Sequence, residues 1–100
     1  MGIMLVTDIT VVVRAFADFR VILGAQTEIM LAQGRTIRDL LELLSERHDS
    51  FRKKAFDSEG RLSEEIDIIV NGRNVGHTQN LTAELQDGDQ VFFFSPLSGG

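Results

Sequence analysis

Two runs of β-favouring residues stand near opposite ends of the chain, Thr10-Val11-Val12-Val13-Arg14-Ala15-Phe16 and Val91-Phe92-Phe93-Phe94. Both are rich in the β-branched and aromatic residues that fit a pleated, half-buried surface. They are also the most hydrophobic strand candidates in the sequence, which suits central positions with neighbours on both sides. A fold that satisfies both must bring the first and last strands together and arrange the intervening residues around that non-local pair. Pro96 lacks an N–H and cannot extend a central ladder, so the last strand is expected to stop near Ser95.

The intervening sequence supplies the rest of a small sheet and its cover. Period two along the first run sends Val12 and Phe16 to the side of Arg14, and Val11, Val13 and Ala15 to the other. With Arg14 in water, Phe16 faces away from the core. Ala17 to Leu23 reads as a turn or short helical connection closed by Gly24, and Thr27 to Leu31 as a second strand, giving a hairpin-like pair. Thr36 opens the main helix: its hydroxyl can accept the backbone N–H of Asp39, whose carboxylate suits the positive end of the helix dipole. Ile37, Leu40, Leu41 and Leu44 then form one apolar stripe. The pattern fades at Arg47-His48, and Asp49 or Ser50 can cap a shorter helical segment through Phe51 to Phe56. Asp57 to Arg61 is a polar loop. Ile66 to Val70 is the third strand, and Asn71-Gly72, both tolerant of positive φ, turns it into a brief return strand over Arg73 to Val75. Gly76 to Leu85 reads as irregular, with one helical turn expected near Leu81 to Leu85. Asp87-Gly88-Asp89 turns the chain into the last strand. This order predicts an α+β fold, the ubiquitin-like β-grasp, in which one main helix crosses one face of a mixed sheet. The expected domain covers residues 10–95, between an N-terminal extension over 1–9 and a tail over 96–100.

At 100 residues the chain has room for one core. Its hydrophobic content of 43% and its single Pro are those of an ordinary globular sequence. A net charge of -5 disfavours a phosphate backbone and suits a basic protein partner, so no nucleic-acid partner is expected. Without Cys the chain has no disulfide framework, no thiolate zinc site and no thiol nucleophile, which is compatible with a reducing cytoplasm. No apolar run reaches the length of a bilayer span, so no membrane partner is expected. The opening Met1-Gly2-Ile3-Met4-Leu5-Val6 has no basic region of a signal peptide, and Val6 stands where a myristoylation motif has Ser or Thr. His48 and His77 lack metal-ligand spacing, the carboxylates form no acid/base pair, and Gly72 and Gly76 belong to hairpin chemistry rather than to a phosphate loop. An autonomous enzyme and a bound metal or cofactor are therefore not expected. Arg20 and Arg73 either meet acidic residues of a partner or solvate loops, and Arg52-Lys53-Lys54 reads as the wet face of the second helix.

Two constellations remain. Gly99 and Gly100 are poor residues for stabilising a domain, because glycine loses the most backbone entropy on ordering, but no Cβ obstructs their passage through a narrow enzyme channel. A frayed terminus is the plainer reading of a Gly-Gly end taken alone. The second constellation is Phe16, Phe92 and Phe94. If Val91 and Phe93 face the helix, Phe92 and Phe94 fall on the opposite face beside Phe16, where no helix in the sequence is left to cover them. That makes the three rings a candidate docking surface for partners.

The element order, Asn71-Gly72-Arg73, Leu85-Gln86-Asp87-Gly88-Asp89 and the run Phe93-Phe94-Ser95-Pro96-Leu97-Ser98-Gly99-Gly100 together resemble the MoaD-like sulfur carriers of the MoaD/ThiS superfamily, the small subunits of molybdopterin synthase. The resemblance covers roughly Thr10 to Gly100 and is most specific at the end. It implies that a MoeB-like, E1-like enzyme uses ATP to adenylate the Gly100 carboxylate, and that a sulfur donor converts the adenylate to a thiocarboxylate. It further implies that a MoaE-like large subunit supplies the catalytic side chains while Pro96, Leu97, Ser98 and Gly99 enter its channel. Ser95 replaces the first residue of a more familiar Pro-Pro, Leu97 replaces a smaller residue, and polar Asn74 stands near an often apolar contact position. Thiamin-pathway carriers are usually shorter across Ser45 to Glu65, which favours the molybdopterin branch. Relatives that modify proteins or thiolate transfer RNA use the same kind of tail and are not separated by that criterion.

Overall fold

Strands β1 (Asp8–Ala15) and β5 (Gln90–Phe94) lie side by side and parallel, with Val13 beside Val91 and Ala15 beside Phe93. The computed structural model describes residues 8–64, 66–75 and 81–95, and all that follows concerns these. Between the two central strands the chain forms α1 (Asp18–Leu23), β2 (Gln26–Ala32), α2 (Ile37–Arg47), α3 (Asp49–Ala55), β3 (Asp67–Val70) and β4 (Arg73–Asn74). The sheet order is β2-β1-β5-β3-β4, and every neighbouring pair except β1 and β5 is antiparallel. This is the mixed sheet of the ubiquitin-like β-grasp. β1 begins two residues earlier than its composition suggests, inside the expected extension over 1–9, because Ile9 is buried opposite Leu31 of β2.

Parity along the central strands divides core from surface. Val11, Val13 and Ala15 of β1 and Val91 and Phe93 of β5 are buried on one face, where the apolar stripe of α2 meets them with Ile37, Leu40, Leu41 and Leu44. Helix α2 is the longest, but α1 and α3 join the same core. Phe19 of α1, Phe51 of α3 and Phe93 of β5 pack as a triad, with ring centroids 5.8 Å (Phe19 to Phe51), 5.4 Å (Phe51 to Phe93) and 6.4 Å (Phe19 to Phe93) apart. The small side chain of Ala15 beside Phe93 leaves room for that ring. Edge-to-face contact adds to the area that each ring removes from water.

The start of α2 shows how a helix end is satisfied. Thr36 Oγ1 accepts the Asp39 N–H at 3.2 Å, and Asp39 Oδ2 accepts the Thr36 N–H at 2.8 Å, a complete capping box. The next orphan donors, the N–H groups of Ile37 and Arg38, bond to the carbonyls of Ala83 and Leu81 at 3.1 and 2.9 Å. Leu81 to Leu85 is therefore not the helical turn that its composition suggests: it forms a bridge between Glu84 and Thr36 and docks with Leu81 and Leu85 buried. A helical turn would have kept those carbonyls for its own backbone. A second departure lies at α3, whose cap is His48, with no side-chain bond; Asp49 sits inside the first turn. Nor are all three residues of Arg52-Lys53-Lys54 wet, since Lys54 reaches Asp18 of α1 at 3.1 Å and lies over the Phe19 ring at 5.6 Å.

Two turns fix the register of β5. Asp87 Oδ1 accepts the Thr10 N–H at 2.8 Å, and the Gly88 N–H donates to the Thr10 carbonyl at 2.8 Å, pinning the turn before β5 onto β1. Asn71, at φ 49° before Gly72 at φ 87°, makes the expected hairpin turn. Its side chain also donates to Asp89 at 2.7 Å and accepts the Gln90 N–H at 3.0 Å, pinning β3 onto β5.

Two expectations follow. The Thr36 backbone N–H, followed by the Thr36 hydroxyl and the Arg35 charge, holds the Asp39 carboxyl below its ordinary value of 3.8. A carboxyl depressed on folding contributes stability above that ordinary value and loses it as pH falls through the folded one. The melting-temperature gap between wild type and Asp39→Asn should thus be largest near neutral pH and close in acid, while Thr36→Ala should cost about 1 kcal/mol at neutral pH. Phe93→Ala, which empties the centre of the triad, should cost about 3–5 kcal/mol in denaturant unfolding.

Candidate functional site

The face of the sheet opposite the helices carries the outward residues of the same strands. From β1 come Thr10, Val12 and Arg14, with Phe16 just after it; from β5 come Phe92 and Phe94; from β3 comes Ile69, in register with Phe92. Phe16 is 47% exposed, and its ring stacks on that of Phe92 with centroids 6.0 Å apart and planes 4° from parallel. The guanidinium of Arg14, the register partner of Phe92, lies over the same ring at 5.9 Å. Phe92 is thus met by both a cation and a second ring. Phe94 lies on the far side, where Ile69, Asn71, Gly72, Gln90, Phe92 and Phe94 line a shallow groove of about 450 Å³. Met30 of β2, opposite Thr10 and 64% exposed, extends the apolar surface towards the sheet edge.

Local structure explains why these rings stand out. Ala15, the last residue of β1, donates to the Ala25 carbonyl at 3.1 Å, and the Phe16 N–H still reaches the Phe93 carbonyl at 3.0 Å. At Ala17 the backbone turns to φ 54°, a value unusual for a residue with a Cβ, and α1 departs towards the opposite face. Phe16 is left on the open face while Phe19, three residues on, enters the core. Asp67 stands opposite Phe94 in register and is buried, which places a carboxylate at the point where β5 ends.

The sequence-derived constellation of Phe16, Phe92 and Phe94 is therefore assembled on one face. The other sequence-derived site residues, Pro96, Leu97, Ser98, Gly99 and Gly100, lie outside the described residues, as does His77. Arg20, Arg73 and Asn74 are exposed, Asn74 on β4 in register with Ile69. Sequence reasoning missed Ile69 and Met30 as members of the face and the stacking role of Arg14. The signal for Ile69 was the pairing of β3 with β5, which puts it beside Phe92. Among the described residues no group of three or more His, Asp or Glu is arranged to hold a metal ion. No helix among them is long and apolar enough to cross a membrane. The open face is suited to binding a protein surface: it offers apolar area, a groove and one cation.

Comparison with known proteins agrees with this architecture. A curated relative, small archaeal modifier protein 3 of Haloferax volcanii, is 30% identical over 88 residues, covering 87% of this chain and 95% of its own. A protein of Archaeoglobus fulgidus, provisionally named a sulfur carrier protein, is 36% identical over 69 residues, covering 69% of this chain and 78% of its own. A solved structure from Pyrococcus furiosus, provisionally named molybdopterin converting factor subunit 1, superposes with a TM-score of 0.72 at 39% identity, covering 89% of this chain and 99% of its own. The profile of the ThiS family matches residues 13–100. With the fold, the extent of that match and relatives of both the sulfur-carrier and the modifier kind, this chain belongs to the ThiS family of ubiquitin-like β-grasp proteins.

Proposed function

We propose that this chain is a cytoplasmic sulfur carrier that works through the carboxylate of Gly100. A carboxylate is a poor electrophile, so the cycle begins with activation: a MoeB-like, E1-like enzyme uses ATP to form the Gly100 acyl-adenylate. A sulfur donor then displaces AMP to leave a thiocarboxylate. The thiocarboxylate is the nucleophile that delivers sulfur to a molybdopterin precursor in the active site of a MoaE-like large subunit. The chain is not catalytic alone; with that subunit it completes molybdopterin synthase.

The observation that carries this reading is the construction of β5. One strand places Phe93 at the centre of the core and Phe92 and Phe94 on the open face, and the sequence leaves it as Ser95-Pro96-Leu97-Ser98-Gly99-Gly100. A partner that covers the aromatic face is thereby adjacent to the start of the tail. Each ring offers roughly 150–250 Å² to such a partner. The provisional name of the Pyrococcus furiosus neighbour supports the molybdopterin branch. A CysO chain of Amycolatopsis orientalis, 27% identical with a TM-score of 0.66, was solved in complex with BexX, which supports a partner protein for this chain.

A second reading uses the same tail. The likeness to small archaeal modifier protein 3 favours a ubiquitin-like modifier whose Gly100 becomes amide-linked to lysines. Transfer-RNA thiolation and the thiamin pathway are further destinations for sulfur carried in this way.

Incubation with an E1-like enzyme, ATP and a sulfide source should raise the intact mass by the replacement of one oxygen with sulfur at the terminus. Deleting Gly100 should abolish both that shift and AMP release while leaving the melting transition unchanged; normal turnover by the truncated chain would refute the reading. Phe94→Asp should keep a cooperative melt and lose at least tenfold in affinity for the partner enzyme by titration, an anchor-residue effect of more than about 1.4 kcal/mol.

A further inference from the structure

Of the ten Lys and Arg residues in the sequence, only Lys53 and Lys54 are lysines. Arginine guanidinium stays protonated and is no acyl acceptor, so these two carry the only side-chain amines of the chain. They are adjacent in α3, yet their surroundings differ. Lys54 keeps only 21% of its side chain exposed, with Nζ 3.1 Å from Asp18 and over the Phe19 ring at 5.6 Å. An amine must turn its lone pair to the incoming carbonyl carbon, and both contacts hold the Lys54 side chain inward. Lys53 is 78% exposed, and its one-turn pair with Asp49 at 3.2 Å lies in open water, where such pairs are weak and break readily.

The fold also sets where Lys53 points. Phe51 and Ala55, two residues either side, are buried in the core, so at 100° per residue Lys53 projects from the opposite side of α3. That helix covers the closed face of the sheet, while Phe16, Phe92 and Phe94 lie on the open face. A group attached at Lys53 therefore leaves the aromatic face accessible, and the two can be occupied together.

We propose that Lys53 is the acceptor site through which this chain is itself acylated, the donor being the activated C-terminal glycine of a second copy. The inference rests on the modifier reading above. The Lys53 ε-amine, having given a proton to water, attacks the Gly100 carbonyl carbon of the adenylated copy. A C–N bond forms, the acyl C–O bond to AMP breaks, AMP leaves with the electron pair, and the nitrogen gives its second proton to water. The product is an isopeptide-linked pair in which the acceptor copy keeps its own Gly100 and its own aromatic face, so it can be activated in turn.

The test uses the full chain with an E1-like enzyme and ATP, reading pyrophosphate release, which accompanies adenylation, and covalent dimer separately. Because Arg73 is the last basic residue, trypsin would leave residues 74–100 on the acceptor lysine, whereas chymotrypsin cutting after Leu97 leaves Ser-Gly-Gly, the better tag for mapping. Wild type should release pyrophosphate and form a dimer with the tag on Lys53. K53R should keep pyrophosphate release and lose the dimer at least tenfold, and K54R should keep both. A tag on Lys54 or on the N-terminal amine, or an undiminished dimer from K53R, would overturn the proposal. Pyrophosphate release without any dimer would overturn it while leaving the sulfur-carrier reading intact; no pyrophosphate release would overturn both.

Discussion

The parallel ladder between β1 and β5 is the contact on which every other feature depends, because it joins residues from near the two ends of the chain and must form against the entropy of closing everything between them. Four short backbone pairings, Val12 with Gln90 through Ala15 with Phe93, cannot offset that closure unaided. The offset comes from the side chains that the ladder aligns. Val11, Val13, Val91 and Phe93 are fully buried, and Phe93 meets Phe19 and Phe51, which arrive on two different helices. The core is thus assembled around a strand from the far end of the sequence. β5 cannot be lost without removing the centre of the sheet.

That dependence gives β5 two roles separated only by parity. Val91 and Phe93 face the helices while Phe92 and Phe94 face the open side, so a one-residue slip would exchange the core rings for the surface rings. The polar clamps at the start of the strand act against such a slip. Asp87 bonds β1 and Asn71 bonds the residues on either side of the β5 entry, so neither neighbour can shift without breaking charged or amide hydrogen bonds. Turn residues that look like simple punctuation thereby control which aromatic rings reach the surface.

Much of this was legible in the residues themselves. The β-branched runs, the Thr36 cap with its Asp39 partner, the Leu stripe of α2 and the Asn71-Gly72 turn are all local signals, and each appears where it was expected. Alternation also placed Phe16 and Phe92 on a common face. Leu81 to Leu85 was misread as a helical turn because its apolar spacing suits one, whereas the free N–H groups at the start of α2 compete for its carbonyls. Lys54 was misread as solvated because its partner, Asp18, is brought to it by helix packing rather than by spacing.

By itself the sequence determined the elements, their inward and outward faces and the chemistry available at the end of the chain, because these follow from side-chain period, capping and residue type within a few positions. Only the tertiary structure decided that Phe92 meets both Phe16 and Arg14, that Ile69 completes the groove, and that one of two adjacent lysines is held against α1 while the other is exposed. Those outcomes depend on which distant groups the closed sheet and its helices bring within a few ångströms, and no short-range pattern carries that information.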